Sequence, residues 1–208
     1  MKFDTVHLET ERVLIRLVKE SDSRSLYKIY SDPKAMEYWS SIPFENESQA
    51  TELVKSAINN FDSGSSLLLA IILKESGELV GTLNLFNVYA ESKRAEVGYI
   101  LSSLFWRKGL MAESFGALIH FCFEHLKLNR LEADIDPDNV ASSALLKKHG
   151  FKVEGLLKER WIVNGNITDS EVYGLVKSSY NKQLNTDSAY GLTFCKNTQN
   201  NVSANLTG

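Results

Sequence analysis

The chain has 208 residues, a formal net charge of −3 and a hydrophobic content of 43%. This length suffices for one α/β domain with its own core, and the charge excludes a protein that grips nucleic acid by bulk positive charge. Residues 1–12 carry charges without the apolar stretch of a signal peptide, and the longest apolar run, residues 67–73, is too short to cross a membrane.

The cysteine content points to a reducing compartment. The two cysteines, Cys122 and Cys195, are far apart and show no metal-site spacing. We therefore expect a cytoplasmic protein without a disulfide framework. Cys122 lies in an apolar helical stretch and is expected to pack in the core.

Hydrophobic periodicity predicts alternating strands and helices along most of the chain. The first half of the chain is predicted to hold a strand at 6–17, a helix ending at Asp32-Pro33, an amphipathic helix with apolar residues from Ala50 to Phe61, and a hairpin of strands 67–74 and 79–89. A strand at 95–101 and a long helix at about 110–127 follow. The last elements are a strand at 129–135, a short helix at 140–149, and two strands at 151–161 and 170–177 joined through Asn164-Gly165. This order indicates a single α/β domain over residues 1–178. Residues 179–208 are rich in Asn, Ser and Thr, and we expect a flexible or loosely packed tail there.

A short basic loop enters the long helix directly after the strand at 95–101. Free amide groups and the positive end of a helix favour anions, and a glycine lets the backbone approach a phosphate. Gly109 stands at this place, with Arg107 and Lys108 before it. The pattern suits a phosphate site, although a glycine before a helix is also a common turn residue.

The segment after the strand at 129–135 carries a second candidate group. Asn139 stands where the next helix begins, so it is either a helix cap or a ligand-binding side chain. Ser142 follows in the first turn of that helix. Neither residue alone indicates a reaction.

Together these motifs resemble the GCN5-related N-acetyltransferase (GNAT) superfamily, and more closely its RimJ/RimL-type branch, which acetylates ribosomal-protein N-termini. The resemblance covers about residues 8–176. It rests on the order and spacing of residues 8–16 (LETERVLIR), 31–33 (SDP), 95–99 (AEVGY), 106–113 (WRKGLMAE), 128–132 (LNRLE), 139–142 (NVAS), 150–151 (GF), 154–155 (EG) and 164–169 (NGNITD). The cofactor loop departs from the superfamily pattern, because Trp106 and Met111 replace its usual first and last residues.

The resemblance implies a mostly antiparallel mixed sheet with helices on both faces and two splayed central parallel strands. It also implies acetyl-CoA as co-substrate, no metal, and direct attack of a neutral amine on the thioester in a ternary complex. The implied cofactor-binding residues are Gly98, Tyr99, Ile100, Leu101, Arg107, Lys108, Gly109, Leu110, Met111, Ala112 and Asn139.

The resemblance further suggests the catalytic groups and the acceptor site. Glu96 is the candidate base, Ser142 the candidate donor to the leaving thiolate, and Asn139 a residue that positions water or the pantetheine arm. Tyr38 and Trp39, with Glu96, are expected to border the acceptor, although Tyr38 and Trp39 could instead close the core.

Several functions remain open at this stage. The favoured acceptor is the N-terminal amine of a protein or peptide. The alternatives are a small amine such as a polyamine, amino sugar or antibiotic, and a non-catalytic acyl-CoA-binding module. Neither a Walker loop nor a dinucleotide-binding glycine motif is present, which disfavours other nucleotide-binding folds. We expect a monomer or homodimer.

Overall fold

The computed structural model describes residues 2–3 and 6–186, the last five by their backbone alone. Cys195 and the greater part of the predicted tail, residues 187–208, lie outside the described residues. None of the helices in the described part is both long and apolar enough to cross a membrane.

Within the described residues, eight strands form one open mixed sheet in the order β1-β2-β3-β4-β5-β6-β8-β7. Neighbouring strands are antiparallel except β5 and β6, which are parallel. The strands are β1 (His7–Glu9), β2 (Val13–Leu17), β3 (Leu67–Leu73), β4 (Leu79–Tyr89), β5 (Arg94–Leu101), β6 (Arg130–Ile135), β7 (Lys152–Val163) and β8 (Asn166–Val176). The predicted mixed sheet is therefore confirmed.

The helices cover both faces of the sheet, as predicted. They are α1 (Ser23–Tyr30), α2 (Glu47–Ser63), α3 (Leu110–His120), α4 (Val140–Lys148) and α5 (Lys177–Thr186). Buried residues of α1 and α2 form one apolar cluster with Ala70 and Ile100. Buried residues of α3, α4 and α5 form a second cluster with Ala95 and Val97, which face the other side. Even-numbered residues of β5 thus face α1 and α2, and odd-numbered residues face α3.

The predicted first strand is in fact a two-stranded hairpin. The backbone reverses after β1, and the amide of Thr10 donates to the carbonyl of Val13 across 3.0 Å. The hydroxyl oxygen of Thr10 also accepts a hydrogen bond from the amide of Val13 across 3.2 Å. This local turn breaks the extended run that the alternating pattern suggested.

The predicted long helix is shorter than expected. Its α-helical part ends at His120, and a π-helical turn, Phe121–His125, follows. Lys177 Nζ donates a hydrogen bond to the Phe123 carbonyl across 2.6 Å, so this carbonyl has a partner outside its own helix. Lys127, with a φ of 57°, then turns the chain toward β6. Cys122 is fully buried, as predicted, and burial raises the pKa of its thiol.

The domain boundary predicted at residue 178 falls inside α5. Tyr180 on this helix is buried and packs on Phe123, with the ring centroids 5.1 Å apart. Helical backbone therefore continues to the end of α5, past the predicted boundary. The division into a domain and a tail remains a prediction for residues 187–208.

Candidate active site

Strands β5 and β6 share only three paired positions before they separate. The last pair is Glu96 with Glu132. Beyond it, β6 pairs with β8, while residues 97–101 of β5 keep strand partners only in β4. One edge of β5 therefore presents backbone groups without a strand partner to the gap, which confirms the predicted splay.

The gap opens into a cavity of about 580 Å³. Its walls come from the loop after α1, strands β4–β6, the start of α4 and the β7–β8 hairpin. The cavity brings together seven of the predicted site residues, namely Tyr38, Trp39, Glu96, Gly98, Tyr99, Asn139 and Ser142. The remaining predicted residues, Ile100, Leu101 and those from 107 to 112, lie outside this lining.

Glu96 lies on the cavity face and is partly exposed. Its Oε1 accepts a hydrogen bond from Asn87 Nδ2 across 3.0 Å. Asn87 takes this position because β4 bulges between Phe86 and Tyr89, where Asn87 adopts a φ of 47°. The bulge thus lies on β4, the antiparallel neighbour of β5.

Asn139 caps α4, as one of its two predicted roles requires. Its Oδ1 accepts a hydrogen bond from the backbone amide of Ser142 across 3.0 Å. The same two residues line the cavity. The cap therefore holds the first turn of α4 against the gap, and the Nδ2 group of Asn139 is not used by this bond.

Tyr99, predicted as a cofactor-binding residue, also contributes a buried hydroxyl, for which the sequence analysis predicted no role. No described residue gives this hydroxyl a well-formed hydrogen bond. Burial raises the pKa of Tyr99 to about 12, and the nearby Ser142 side chain opposes part of that shift. The hydroxyl therefore stays protonated at neutral pH and can act as a donor.

The loop before α3 is fixed by contacts from two sides. Gly109 caps the helix with a φ of 76°, and Arg107 also has a positive φ, 60°. Trp106 Nε1 donates to the Leu101 carbonyl across 2.8 Å, and Arg12 Nη1 donates to the Lys108 carbonyl across 2.8 Å. The first amides of α3 have no partner within the helix, so this ordered loop presents free donors.

Glu113 in the first turn of α3 ties this loop to the β1–β2 turn. Arg12 Nε lies 2.6 Å from its Oε2, and Thr10 Oγ1 donates to its Oε1 across 2.5 Å. Burial alone would raise the pKa of Glu113, but the bonds from Thr10 and Arg12 outweigh burial and lower the pKa. The sequence motifs at residues 8–16 and 106–113 thus meet in space.

Five carboxylates and one guanidinium line the cavity. They are Glu37, Glu96, Asp134, Asp136 and Asp169, against Arg160. The nearby Glu37 carboxylate, followed by partial burial, Asp138 and Asp136, raises the pKa of the Tyr38 hydroxyl. The negative charge of the cavity therefore favours a cationic ligand.

Two aromatic residues of the loop between α1 and α2 lie in different environments. Trp39 packs edge-on against Tyr30, with centroids 5.5 Å apart, and so helps to close the core. Tyr38 is exposed at the cavity, as is Trp161 of the β7–β8 hairpin. Trp161 and the other hairpin residues were missed by the sequence reasoning.

Comparison with known proteins identifies the family. The acetyltransferase (GNAT) domain model matches residues 12–152. The chain belongs to the GNAT acetyltransferase family. It is 35% identical to the uncharacterised N-acetyltransferase p20 of Bacillus licheniformis over 174 residues, which is 83% of this chain and 97% of that protein.

More distant relatives include two named enzymes of Escherichia coli (strain K12). The ribosomal protein uS5-alanine N-acetyltransferase is 28% identical over 79% of this chain and 87% of its own length. The spermidine N(1)-acetyltransferase is 25% identical over 74% of this chain and 80% of its own length. A crystal structure of a probable acetyltransferase superposes with a TM-score of 0.76 at 25% identity, covering 83% of this chain and 98% of the other.

These findings confirm the predicted family, its mixed α/β fold and the N-acetyltransferase activity. The resemblance to the RimJ/RimL type is supported at moderate identity. The roles of the individual site residues remain predictions.

Proposed function

We propose that this acetyltransferase moves the acetyl group of acetyl-CoA directly to the N-terminal amine of a protein or peptide. Acetyl-CoA supplies an activated acyl thioester. The observation that carries the proposal is the placement of a carboxylate and a buried hydroxyl on opposite faces of β5. Glu96 faces the cavity on the α1–α2 side, and Tyr99 points toward α3 and α4.

Three features of the chain fit the cofactor. The unpaired edge of β5 from Gly98 to Leu101 can hydrogen-bond an extended pantetheine arm, as an added strand would. Tyr99 presents a buried hydroxyl that still needs a partner. The amides around Gly109 and Leu110, with Arg107 and Lys108 nearby, suit the diphosphate. In this proposal Met111, Ala112 and Asn139 complete the cofactor-binding set.

The two faces of β5 suit the two proton movements of the reaction. A free α-amino group has a pKa of about 7.7–8.0, so it arrives largely protonated at neutral pH and must lose a proton before attack. Glu96 would accept that proton on the acceptor side. An amide of residues 99–101 would stabilise the oxyanion, and Ser142 with Tyr99 would protonate the departing thiolate.

The polar lining of the cavity supports a peptide acceptor. An amide side chain can donate to and accept from a peptide backbone. Besides Asn87, which bonds Glu96, and Asn139, which caps α4, three such side chains line the cavity: Asn84, Asn164 and Asn166. Tyr38 and Trp161 add aromatic surfaces to the lining, and the uS5-alanine relative is named for this acceptor class.

A small cationic amine is the second candidate acceptor. The excess of carboxylates in the cavity supports it, as does the relative named for spermidine. Part of this charge is already compensated, because Asp134 pairs with Arg160 across 3.2 Å and Asp169 with Lys158 across 2.6 Å. We therefore place the polyamine second.

A thiol-release screen separates the candidates. Acetyl-CoA would be supplied with peptides bearing free N-termini, with the same peptides blocked at the N-terminus, with spermidine and with amino sugars. Release that depends on a free peptide N-terminus supports the proposal. Faster release with spermidine would select the second candidate, and CoA binding without release from any acceptor would mean a non-catalytic module.

A further inference from the structure

Two pairs of opposite charged residues lie where β5 and β6 are still hydrogen-bonded to each other. Arg94 is opposite Arg130, and Glu96 is opposite Glu132 in the next alternate position. Side chains at such positions point to the same face of a sheet. The four groups therefore form a square on one face of the sheet, with two cations in one pair of opposite positions and two carboxylates in the next. Of the four, Glu96 lines the cavity.

Glu132 holds both arginines of this square. Arg94 Nη1 donates to its Oε2 across 2.7 Å, and Arg130 Nε donates to its Oε1 across 2.6 Å. The Arg94 guanidinium also lies 3.8 Å from the centre of the Tyr89 ring. Arg130 is bonded further to Glu154, which raises the pKa of Arg130 and lowers that of Glu154.

The hydrogen-bond partner of Glu96 is neutral. Within the described part of the chain, the side-chain amide of Asn87 donates to this carboxylate. Arg94 is two residues away on the same face, roughly 7 Å along the strand, so its side chain is long enough to reach Glu96. A guanidinium beside a carboxylate makes that carboxylate a weaker base.

We propose that Glu132 is a positioning residue that holds Arg94 on the β6 side and so keeps its cation away from Glu96. This inference rests on the proposed role of Glu96 as the base. Other ionisable groups also face the cavity around Glu96, and they are the same in every variant below. They are Glu37, Tyr38, Asp134, Asp136, Arg160 and Asp169.

The test is a double-mutant cycle read out by the dependence of kcat on pH. Acetyl transfer to a peptide with a free N-terminus, or to spermidine if the screen selects it, would be measured for wild type, Glu132→Gln, Arg94→Gln and the double variant. The acidic limb is the part of the profile where kcat falls as the pH is lowered. In Glu132→Gln the freed Arg94 side chain should turn to Glu96 and make it a weaker base, which should move this limb to lower pH by about one unit or more and lower the plateau rate. Arg94→Gln should leave the limb in place, and the double variant should return it.

The cycle separates repositioning of Arg94 from a direct field effect of Glu132. If Glu132 acted through its own charge alone, the two shifts would add and the double variant would stay shifted. Additive shifts, or an unmoved limb in Glu132→Gln, would overturn the inference. Glu154→Gln is a matched control. It removes the ion pair between Arg130 and Glu154 but leaves the Arg94–Glu132 pair, so the acidic limb should not move.

Two further measurements keep the outcomes distinct. Thermal unfolding of each variant shows whether a loss of rate reflects a loss of fold. Glu96→Gln should remove the acidic limb. If it does and Glu132→Gln has no effect, only the positioning role fails; if Glu96→Gln keeps the limb, both the base assignment and this inference are wrong.

Discussion

Asn87 donates a hydrogen bond from Nδ2 to Oε1 of Glu96 across 3.0 Å, and it does so from a left-handed backbone conformation in the β4 bulge. Asparagine tolerates this conformation better than most residues. The bond orients the Glu96 carboxylate without placing a cation beside it. The proposed base is thus held by a neutral group at the point where β5 and β6 begin to separate.

Replacement of Glu96 should slow the chemical step. Glu96→Gln keeps the shape of the side chain but removes its ability to accept a proton, so kcat should fall by about 10²–10⁴-fold while acetyl-CoA affinity is retained. Steady-state rates and calorimetry would measure the two quantities. Glu91→Gln, an exposed residue of the β4–β5 turn, is the control. Equal rates in both variants would assign the base to another group.

Gly109→Glu should abolish acetyl-CoA binding. The substitution places a carboxylate at the proposed diphosphate site, and its Cβ would lie 3.4 Å from Arg12 Nη2. Gly77→Glu is a matched control, because Gly77 has a similar φ of 70° and open space around it in the β3–β4 turn. Both variants should lose about 1–2 kcal/mol of stability from the left-handed conformation. Unchanged calorimetric affinity in Gly109→Glu would remove the α3 loop from the site.

The hydroxyl of Tyr99 should matter for turnover and not for stability. Tyr99→Phe removes a buried group without a well-formed bond, so the free energy of unfolding should not fall, while kcat should. Tyr30→Phe is the opposite case, since its buried hydroxyl bonds Thr82 across 2.9 Å. That variant should lose about 1 kcal/mol of stability and keep its kcat. Urea unfolding and rate measurements on both proteins would test the contrast.

Ser142→Ala should lower turnover more than acetyl-CoA affinity. The backbone amide that Asn139 caps is retained in this variant, so the start of α4 stays in place. Ser143→Ala, which removes a bond of 2.8 Å to the buried Tyr173, tests a general effect on α4. If Ser142→Ala reduced rate and affinity by the same factor, Ser142 would hold the cofactor and not donate a proton.

His149 should make the fold sensitive to mild acid. Burial lowers the pKa of this histidine to about 4, while an unfolded histidine titrates near 6.5. The unfolded chain therefore binds an extra proton between these values, and stability present above pH 6.5 is lost as the pH falls toward 4, by at most about 3 kcal/mol.

The matching variant is His149→Phe, which keeps an aromatic ring beside Phe115, whose ring centroid lies 5.3 Å from that of His149. It should lose less stability than wild type between pH 7 and pH 5, as followed by urea unfolding. His120, whose pKa burial also lowers, is present in both proteins and contributes equally. Equal losses in the two proteins would contradict the assignment to His149.

The order of elements could be predicted from periodicity and motif spacing. Motif spacing also singled out Glu96, Asn139 and Ser142, each near the end or the beginning of a strongly patterned element, and the structure brings all three to one cavity. Their roles stay predictions. The β4 bulge could not be predicted, since it arises from the register between strands. For the same reason the Arg94–Glu132 pair could not be recognised: its two residues are 38 positions apart in sequence.

The hairpin wall of the cavity was missed for a related reason. Asn164-Gly165 was recognised as a turn, and both residues have positive φ values there. The strands on either side are longer than predicted, so the hairpin carries Trp161 and Asn166 to the cavity. Composition likewise could not show that Tyr180 packs in the core, because a single buried aromatic gives no periodic signal.

A crystal structure of the chain with acetyl-CoA would test the central claim most directly. We expect the pantetheine arm between β5 and β6, the diphosphate on the amides around Gly109, and the thioester carbonyl within hydrogen-bonding distance of an amide of residues 99–101. A gap closed by side chains of the protein, or a cofactor bound on another surface, would contradict the proposed acetyl transfer at this site.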